Sequence, residues 1–94
     1  MKRVIYKLGV KTLTNDCDYW HYCNTTEGLK KLVDFEMTDN EGMIERFTFE
    51  VEATDEHDTT LKAQVVAYVQ DYNSIDEIKD LASWVKIHNA QSNF

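Results

Sequence analysis

The chain has 94 residues, of which 43% are apolar and 29% charged, and this length predicts a single domain over residues 1–94. The apolar fraction excludes a disordered tail, and no run of about 18 apolar residues exists to form a membrane-spanning helix. The N-terminus lacks the apolar stretch and the cleavage site of a secretory signal, so a cytoplasmic location is expected.

The formal net charge is −7, and the charge is distributed unevenly. Residues 1–31 carry six bases and three acids, whereas residues 32–94 carry four bases and fourteen acids. Nucleic acid and anionic membranes are repelled by such a chain, because binding to either requires a surface of lysine and arginine. A basic protein is attracted by it, although the charge also serves solubility. We therefore expect a protein partner with a basic surface, no direct nucleic-acid ligand and no membrane.

The first third of the chain predicts two strands. In residues 3–11 every second side chain is apolar, which is the pattern of a strand with one buried face. Residues 17–23 form a short run rich in aromatic side chains, which predicts a second strand. The apolar side chains on the buried face of the first strand are Val4, Tyr6, Leu8 and Val10.

Two later segments also alternate and predict a hairpin. They cover residues 43–53 and 61–70, and an acidic loop joins them. The expected register places Glu50 opposite Lys62, and a cross-strand pair of opposite charge contributes roughly 0.2–1 kcal/mol.

Residues 25–36 fit two different structures. A helix is indicated by Asn24 and Glu27, which have the spacing of a capping box, and by an apolar stripe. A strand that starts near Leu29 is indicated by the alternation of residues 32–37. The helical stripe would consist of Leu29, Leu32, Val33 and Glu36.

The strand is favoured, with the helix kept as the alternative, because a hairpin to the next strand explains more of the pattern. Residues 40–42 would form its three-residue loop, with Gly42 in the left-handed conformation. This register sets Phe35 opposite Phe47 on the core side. It also brings opposite charges together, and these pairs are Glu36 with Arg46 and Lys30 with Glu52.

A C-terminal helix is predicted from its cap and its spacing. Ser74 has the features of an N-cap residue, and Glu77 completes a capping box. Residues 91–94 read as a tail. The fold class is therefore α+β: an antiparallel four- to five-stranded meander sheet with one C-terminal helix packed on one face. The apolar face of the helix consists of Ile75, Ile78, Leu81, Ala82 and Val85.

The sequence contains no arrangement typical of a metal site or of a catalytic centre. Cys17, His21 and Cys23 offer three zinc ligands, but a structural zinc site needs four at tighter spacing. On an extended strand the two sulfurs are also too far apart for a disulfide. Carboxylate pairs on strands lack a pocket that would shift a pKa for acid–base chemistry. We therefore expect no metal, no cofactor and no enzymatic activity.

Two groups of residues are candidates for partner binding. Acids without basic neighbours are expected at two hairpin tips, and alternate aromatic residues of the second strand must face away from the core unless both faces are covered. The two tips lie at opposite ends of one strand, so one loop should dominate, and the three acids of residues 55–58 are favoured. The candidate residues are Asp39, Glu41, Asp55, Glu56, Asp58, Tyr19, Trp20, Tyr22 and Trp84.

These features predict a small acidic binding protein that acts by stoichiometric contact. The first hypothesis is an inhibitor of a nucleic-acid-binding defence enzyme, of the anti-CRISPR or anti-restriction type carried by phages and mobile elements. Its carboxylates would occupy a basic site in place of phosphates. The alternative is an immunity protein, an antitoxin, an assembly subunit or a homodimer that acts through an aromatic surface or an open sheet edge.

Overall fold

A computed structural model describes residues 3–85, which form a four-stranded antiparallel sheet and two helices. The strands are β1 (Arg3–Thr12), β2 (Tyr19–Cys23), β3 (Ile44–Thr54) and β4 (Thr60–Tyr68). The helices are α1 (Thr26–Asp39) and α2 (Ile75–Asp80), and short 3-10 turns cover Val69–Asp71 and Leu81–Trp84. This arrangement confirms the α+β class. The predicted tail, residues 91–94, lies outside the described residues.

Strand β1 lies inside the sheet, with β2 on one side and β3 on the other. Its alternation is confirmed, since Leu8 and Val10 are fully buried while Val4 and Tyr6 pack against the same core. Strand β2 begins at Tyr19 and is therefore two residues shorter than the predicted run. Within residues 3–85, no helix has the length and apolar character needed to cross a membrane.

Residues 26–39 form helix α1, so the strand expected from about Leu29 is wrong and the helical alternative is confirmed. Thr25, rather than Asn24, caps the helix, and its hydroxyl accepts a hydrogen bond from the Gly28 N–H at 3.0 Å. The residues that face the sheet recur at helical spacing and are buried. They are Leu29, Val33 and Glu36.

The hairpin expected around residues 40–42 consequently does not form. Both edges of β3 are already hydrogen-bonded, one to β1 and the other to β4, so no edge is left for a strand over residues 29–37. Phe35 lies on α1 and is 57% exposed instead of facing Phe47. Gly42 does adopt the left-handed conformation, with φ of 77°, in the turn between α1 and β3. The charge pairs expected from this hairpin, Glu36 with Arg46 and Lys30 with Glu52, do not form.

The position of α1 changes the connectivity of the sheet. The helix carries the chain from β2 across β1 to β3, which gives the strand order β2-β1-β3-β4. This order is not that of a meander, in which sequential strands are neighbours throughout. The single helix expected on one face is also joined by a second, because α1 and α2 contribute buried residues to one common core.

The hairpin of β3 and β4 forms, but its register differs by two residues from the predicted one. Lys62 pairs with Glu52 and not with Glu50, which lies opposite Gln64. A shift of two residues keeps every side chain on its predicted face. Helix α2 begins as predicted, because the Ser74 hydroxyl accepts a hydrogen bond from the Glu77 N–H at 3.4 Å.

Both helices pack on the same face of the sheet, and this leaves the other face without a layer from residues 3–85. Fully buried side chains from β1 and β3 meet those of α1 and α2 on the covered face. We call the uncovered side the outer face. Its centre consists of alternate residues of the four strands, among them Lys7, Gly9, Trp20, Tyr22, Thr48, Glu50, Glu52, Lys62, Val66 and Tyr68.

Candidate functional site

Three connecting segments meet at one end of the sheet, because β1 and β4 end there while the antiparallel strands β2 and β3 begin there. These segments are the β1–β2 loop (residues 13–18), the α1–β3 turn with its flanks (39–45) and the connection from β4 to α2 (68–74). We call this region the groove end. The β3–β4 loop, residues 55–59, lies at the opposite end of β3.

A groove of about 540 Å³ opens at the groove end. Leu13 lies on its wall with 59% of its surface exposed, although the residue is apolar. The Leu13 N–H donates a hydrogen bond to the Met43 carbonyl oxygen at 2.8 Å, which ties the β1–β2 loop to the turn before β3. The residues that line the groove are Leu13, Ile44, Glu45, Tyr68, Val69 and Gln70.

The groove end is strongly acidic, since its three segments contain six carboxylates and neither lysine nor arginine. Asp18 pairs with Arg46 at 3.2 Å, and the other five have no basic partner within 4.0 Å among residues 3–85. Helix α1 also ends here without a base in its last turn, so the negative end of its dipole adds to the field. The six acids are Asp16, Asp18, Asp39, Glu41, Glu45 and Asp71.

The predicted acidic candidates lie at opposite ends of the sheet and are not brought together. Asp39 and Glu41 belong to the groove end, whereas the other three lie in the β3–β4 loop. In that loop Asp55 is engaged, because its Oδ1 accepts hydrogen bonds from the His57 and Thr59 N–H groups, both at 2.9 Å. The Asp55 side chain therefore stabilises the conformation of the β3–β4 loop. The other two acids there are Glu56, which lies 3.9 Å from His57, and Asp58, which has a positive φ of 63°.

The outer face carries two of the predicted aromatic candidates. Trp20 is 39% exposed and Tyr22 is 67% exposed, whereas Tyr19 faces α1, as the alternation of β2 predicts. The Lys7 Nζ lies 5.6 Å from the centroid of the Tyr22 ring, within the range of a cation–π contact. The fourth aromatic candidate, Trp84, is 69% exposed in the turn after α2, and it is not brought near the other three by any described contact.

Trp20 lies flat over Gly9, where a side chain would not fit. A Cβ atom at Gly9 would lie 2.9 Å from the Cη2 and Cζ3 atoms of the indole. The Gly9→Ala variant is therefore expected to push the Trp20 ring outward and to expose Thr48, which lies opposite Gly9 and is now buried. The check is tryptophan fluorescence in a Trp84→Phe background, where a red shift is expected. Unchanged emission would contradict this packing.

Among residues 3–85, the least exposed polar residue is a glutamate that the sequence placed in a helical stripe or opposite Arg46, and not in a hydrogen-bonded cluster. Glu36 of α1 is 3% exposed, and three polar side chains surround it. The Tyr19 hydroxyl donates to its Oε1 at 2.5 Å and the Asn40 Nδ2 donates to the same oxygen at 2.8 Å. The Nε2 of His21 lies 2.6 Å from its Oε2. These short distances are typical of hydrogen bonds to a charged acceptor.

Burial and the hydrogen bond to Glu36 together raise the pKa of Tyr19 to about 12 from its ordinary value of 10.0. A raised pKa means that the fold favours the protonated phenol, so this stabilisation is complete below about pH 10 and is lost as the pH rises towards 12. We expect the stability difference between wild type and Tyr19→Phe to shrink over that range. Denaturant unfolding at several alkaline pH values measures it, and a constant difference would contradict the assignment.

The three zinc-ligand candidates do not converge. Cys17 is exposed before β2, and the Cys23 Sγ donates to the Thr25 carbonyl oxygen at 3.4 Å. His21 is directed at Glu36 instead. Within residues 3–85, no group of three or more histidine, cysteine, aspartate or glutamate side chains is placed to hold a metal ion. Burial raises the pKa of the Cys23 thiol, which keeps it from reacting as a thiolate.

The fold separates charges that the sequence mixes. The outer face and its rim carry five bases and three acids, and most of these are paired; Lys7, for example, contacts Glu52 at 2.6 Å and Glu50 at 3.4 Å. The rest of residues 3–85 carries three bases and fourteen acids. The negative field of the chain therefore comes from the groove end, the helical layer and the β3–β4 loop. The bases of the outer face are Arg3, Lys7, Lys11, Arg46 and Lys62, and its acids are Asp18, Glu50 and Glu52.

The sequence does not show that the acids of the groove end lie together. Glu45 and Asp71 lie far apart in the sequence, so only the strand order reveals that they share one end with Asp39. Leu13 did leave a signal, since it is a single large apolar residue between Thr12 and Thr14 in a polar turn.

Comparison with protein-family models, with curated proteins and with solved structures gave no match to this chain. The candidate site is therefore assigned on its own geometry. It consists of an acidic end with an apolar groove, next to the outer face, which carries two exposed aromatic side chains.

Proposed function

We propose that this protein is a non-catalytic binding protein that presents the acids of the groove end to a basic surface of a protein partner. The observation that carries this proposal is the concentration of six carboxylates, without any lysine or arginine, in three segments that meet at one end of the sheet. Five of these acids are unpaired among residues 3–85, so their field acts outward instead of being neutralised within the chain.

The negative electrostatic field of the groove end would accelerate association with a basic partner. Unpaired surface charges of one sign accelerate encounter with a surface of the opposite sign, and ions screen this attraction over about 8–10 Å at physiological salt. The form of this function that we favour is inhibition of a nucleic-acid-binding enzyme, of the anti-CRISPR or anti-restriction type. Such an enzyme offers a basic site that carboxylates fit in place of phosphates.

The groove end is a better site for this function than the β3–β4 loop that the sequence favoured. The Asp55 carboxylate accepts two backbone hydrogen bonds within its own loop, so it is committed to the structure of that loop. Glu56 has a neighbouring histidine at 3.9 Å. At the groove end, by contrast, Asp39 stands in the last turn of α1, where a carboxylate destabilises a helix and a lysine would suit the dipole.

The test begins with a partner identified by pull-down from the native host and measures association rates from about 50 to 200 mM salt. The variant combines Asp39→Asn, Glu41→Gln and Asp71→Asn, three conservative changes at exposed positions. We expect its association rate to fall about tenfold at low salt and its salt dependence to flatten, because rim charges act mainly on the on-rate. Dissociation should change little.

A matched control removes the same charge from the other end of β3, through Asp55→Asn, Glu56→Gln and Asp58→Asn. Asparagine at position 55 retains the Oδ1 acceptor that holds the loop. We expect the control to slow association less than the groove-end variant does. If the two variants slowed association equally, the net charge of the protein and not the groove end would explain the attraction. The absence of any salt dependence would refute the electrostatic proposal.

One observation favours a second function, association through the outer face. This face is uncovered among residues 3–85 and exposes Trp20 and Tyr22, which are residue types typical of interface anchors. An immunity protein, an antitoxin, an assembly subunit or a homodimer could use it. This alternative predicts binding that salt hardly affects but that Tyr22→Ala weakens, so the same titration separates the two functions.

A further inference from the structure

We propose that the groove takes one large apolar side chain from a basic segment of the partner, so that this segment binds with an apolar residue between lysines or arginines. This inference rests on the proposed function, because it identifies the segment that the acidic end would receive. The groove has about 540 Å³, which lies within the range of about 300–1,000 Å³ for ligand-binding pockets.

The apolar part of the recognition comes from the walls of the groove. Leu13 and the ring of Tyr68 are 59% and 41% exposed and line the same groove, and Ile44 and Val69 continue this lining towards the core, while the side chain of Tyr68 also interacts with Arg46. An apolar side chain that enters the groove would remove this surface from water together with its own. Leu13 is held against the turn before β3 by its backbone hydrogen bond to Met43, so this wall exists before the partner arrives.

The acidic rim of the groove would recognise the basic residues of the segment. Glu45 is itself part of the lining, and it has no basic partner within 4.0 Å among residues 3–85. Other unpaired carboxylates stand on the three segments around the groove, at Asp16, Glu41 and Asp71. An apolar anchor in such a surrounding is best flanked by cations, because a neutral or acidic segment would leave the carboxylates unpaired or repelled.

The experiment uses the full chain labelled with ¹⁵N and two synthetic peptides. The first is a short lysine-rich peptide with one central leucine, and the second has alanine in place of that leucine. We expect the leucine peptide to bind about tenfold more tightly, and to shift the amide signals of Leu13, Ile44 and Val69. Equal affinities, or shifts confined to the outer face or to the β3–β4 loop, would overturn the proposal.

Two variants separate the groove from the charge. Leu13→Ser should reduce the preference for the leucine peptide to about threefold or less without changing the salt dependence. Leu61→Ser, at an exposed leucine at the opposite end of the sheet, should leave the preference intact. Glu45→Gln should flatten the salt dependence of both peptides and keep their ratio.

The failures of the two proposals are distinguishable. If both peptides bind the groove end with equal affinity and salt weakens the binding of both equally, the groove does not bind an apolar side chain and this proposal fails. The proposed electrostatic function of the acidic end is then still supported. If neither peptide binds the groove end at low salt, the anchor and the electrostatic function both fail. If the peptides bind at the groove end but an unlabelled second copy of the chain displaces them, the groove belongs to an interface between copies, which also overturns the proposal.

Discussion

Replacing Glu36 by alanine is expected to lower the free energy of unfolding by about 2–4 kcal/mol. The carboxylate is buried between α1 and β2 and accepts hydrogen bonds from Tyr19 and Asn40, with His21 at 2.6 Å. Its removal leaves a cavity and deprives three polar groups of their acceptor. Because Tyr19 and His21 are half-buried, water can reach them in part, which keeps the cost below that of a fully enclosed cluster.

The measurement is urea unfolding followed by circular dichroism at neutral pH. Glu36→Gln is the conservative variant: it keeps the shape and one acceptor oxygen, so about 1–2 kcal/mol is expected. Glu41→Ala is the exposed control and should change the free energy of unfolding by less than about 0.5 kcal/mol. If Glu36→Ala matched this control, the cluster would contribute nothing to stability and α1 would be held by its apolar residues alone.

The cluster also shows which part of the structure a sequence can predict. The alternation of β1 and the Ser74 cap of α2 are local patterns, and both are confirmed. Glu36 is different, because its partners Tyr19 and His21 lie 17 and 15 residues away in the chain. A glutamate on a helix is usually exposed, and only the docking of α1 against β2 explains why this one is buried.

The misassignment of residues 29–37 has a similar origin. Their apolar residues satisfy a period of two and a period of 3.6 at once, so periodicity alone does not decide. Tertiary structure decides, because β1 and β4 occupy both edges of β3 and leave the segment no strand partner. As a helix it satisfies its own backbone hydrogen bonds and buries Leu29 and Val33.

Only part of the candidate site could be predicted from the sequence, because the rest depends on tertiary structure. Acids in loops and alternate aromatics on β2 can be recognised in the sequence, and Trp20 and Tyr22 do lie on the outer face. The groove is not readable, because it requires residues 13, 44 and 68–70 to meet at one end of the sheet. Net charge is also a poor guide to local charge: this chain of charge −7 has a sheet face on which bases outnumber acids.

The second large effect is expected from a pair of phenylalanine variants that tests the helical assignment itself. Phe49 of β3 is fully buried, with its ring centroid 6.5 Å from that of Phe47, so Phe49→Ala should cost about 3–5 kcal/mol. Phe35 is 57% exposed on α1, so Phe35→Ala should cost less than about 1 kcal/mol. Urea unfolding at neutral pH measures both.

The two possible structures of residues 26–39 make opposite predictions for Phe35. In a hairpin with β3, Phe35 would face Phe47 in the core, and its loss would cost as much as that of Phe49. In the helix it lies on the side away from Leu29 and Val33, which are fully buried, and alanine even has a higher helix propensity than phenylalanine. A cost near 4 kcal/mol for Phe35→Ala would therefore support the strand and the meander. It would contradict the helix that carries Asp39 to the groove end.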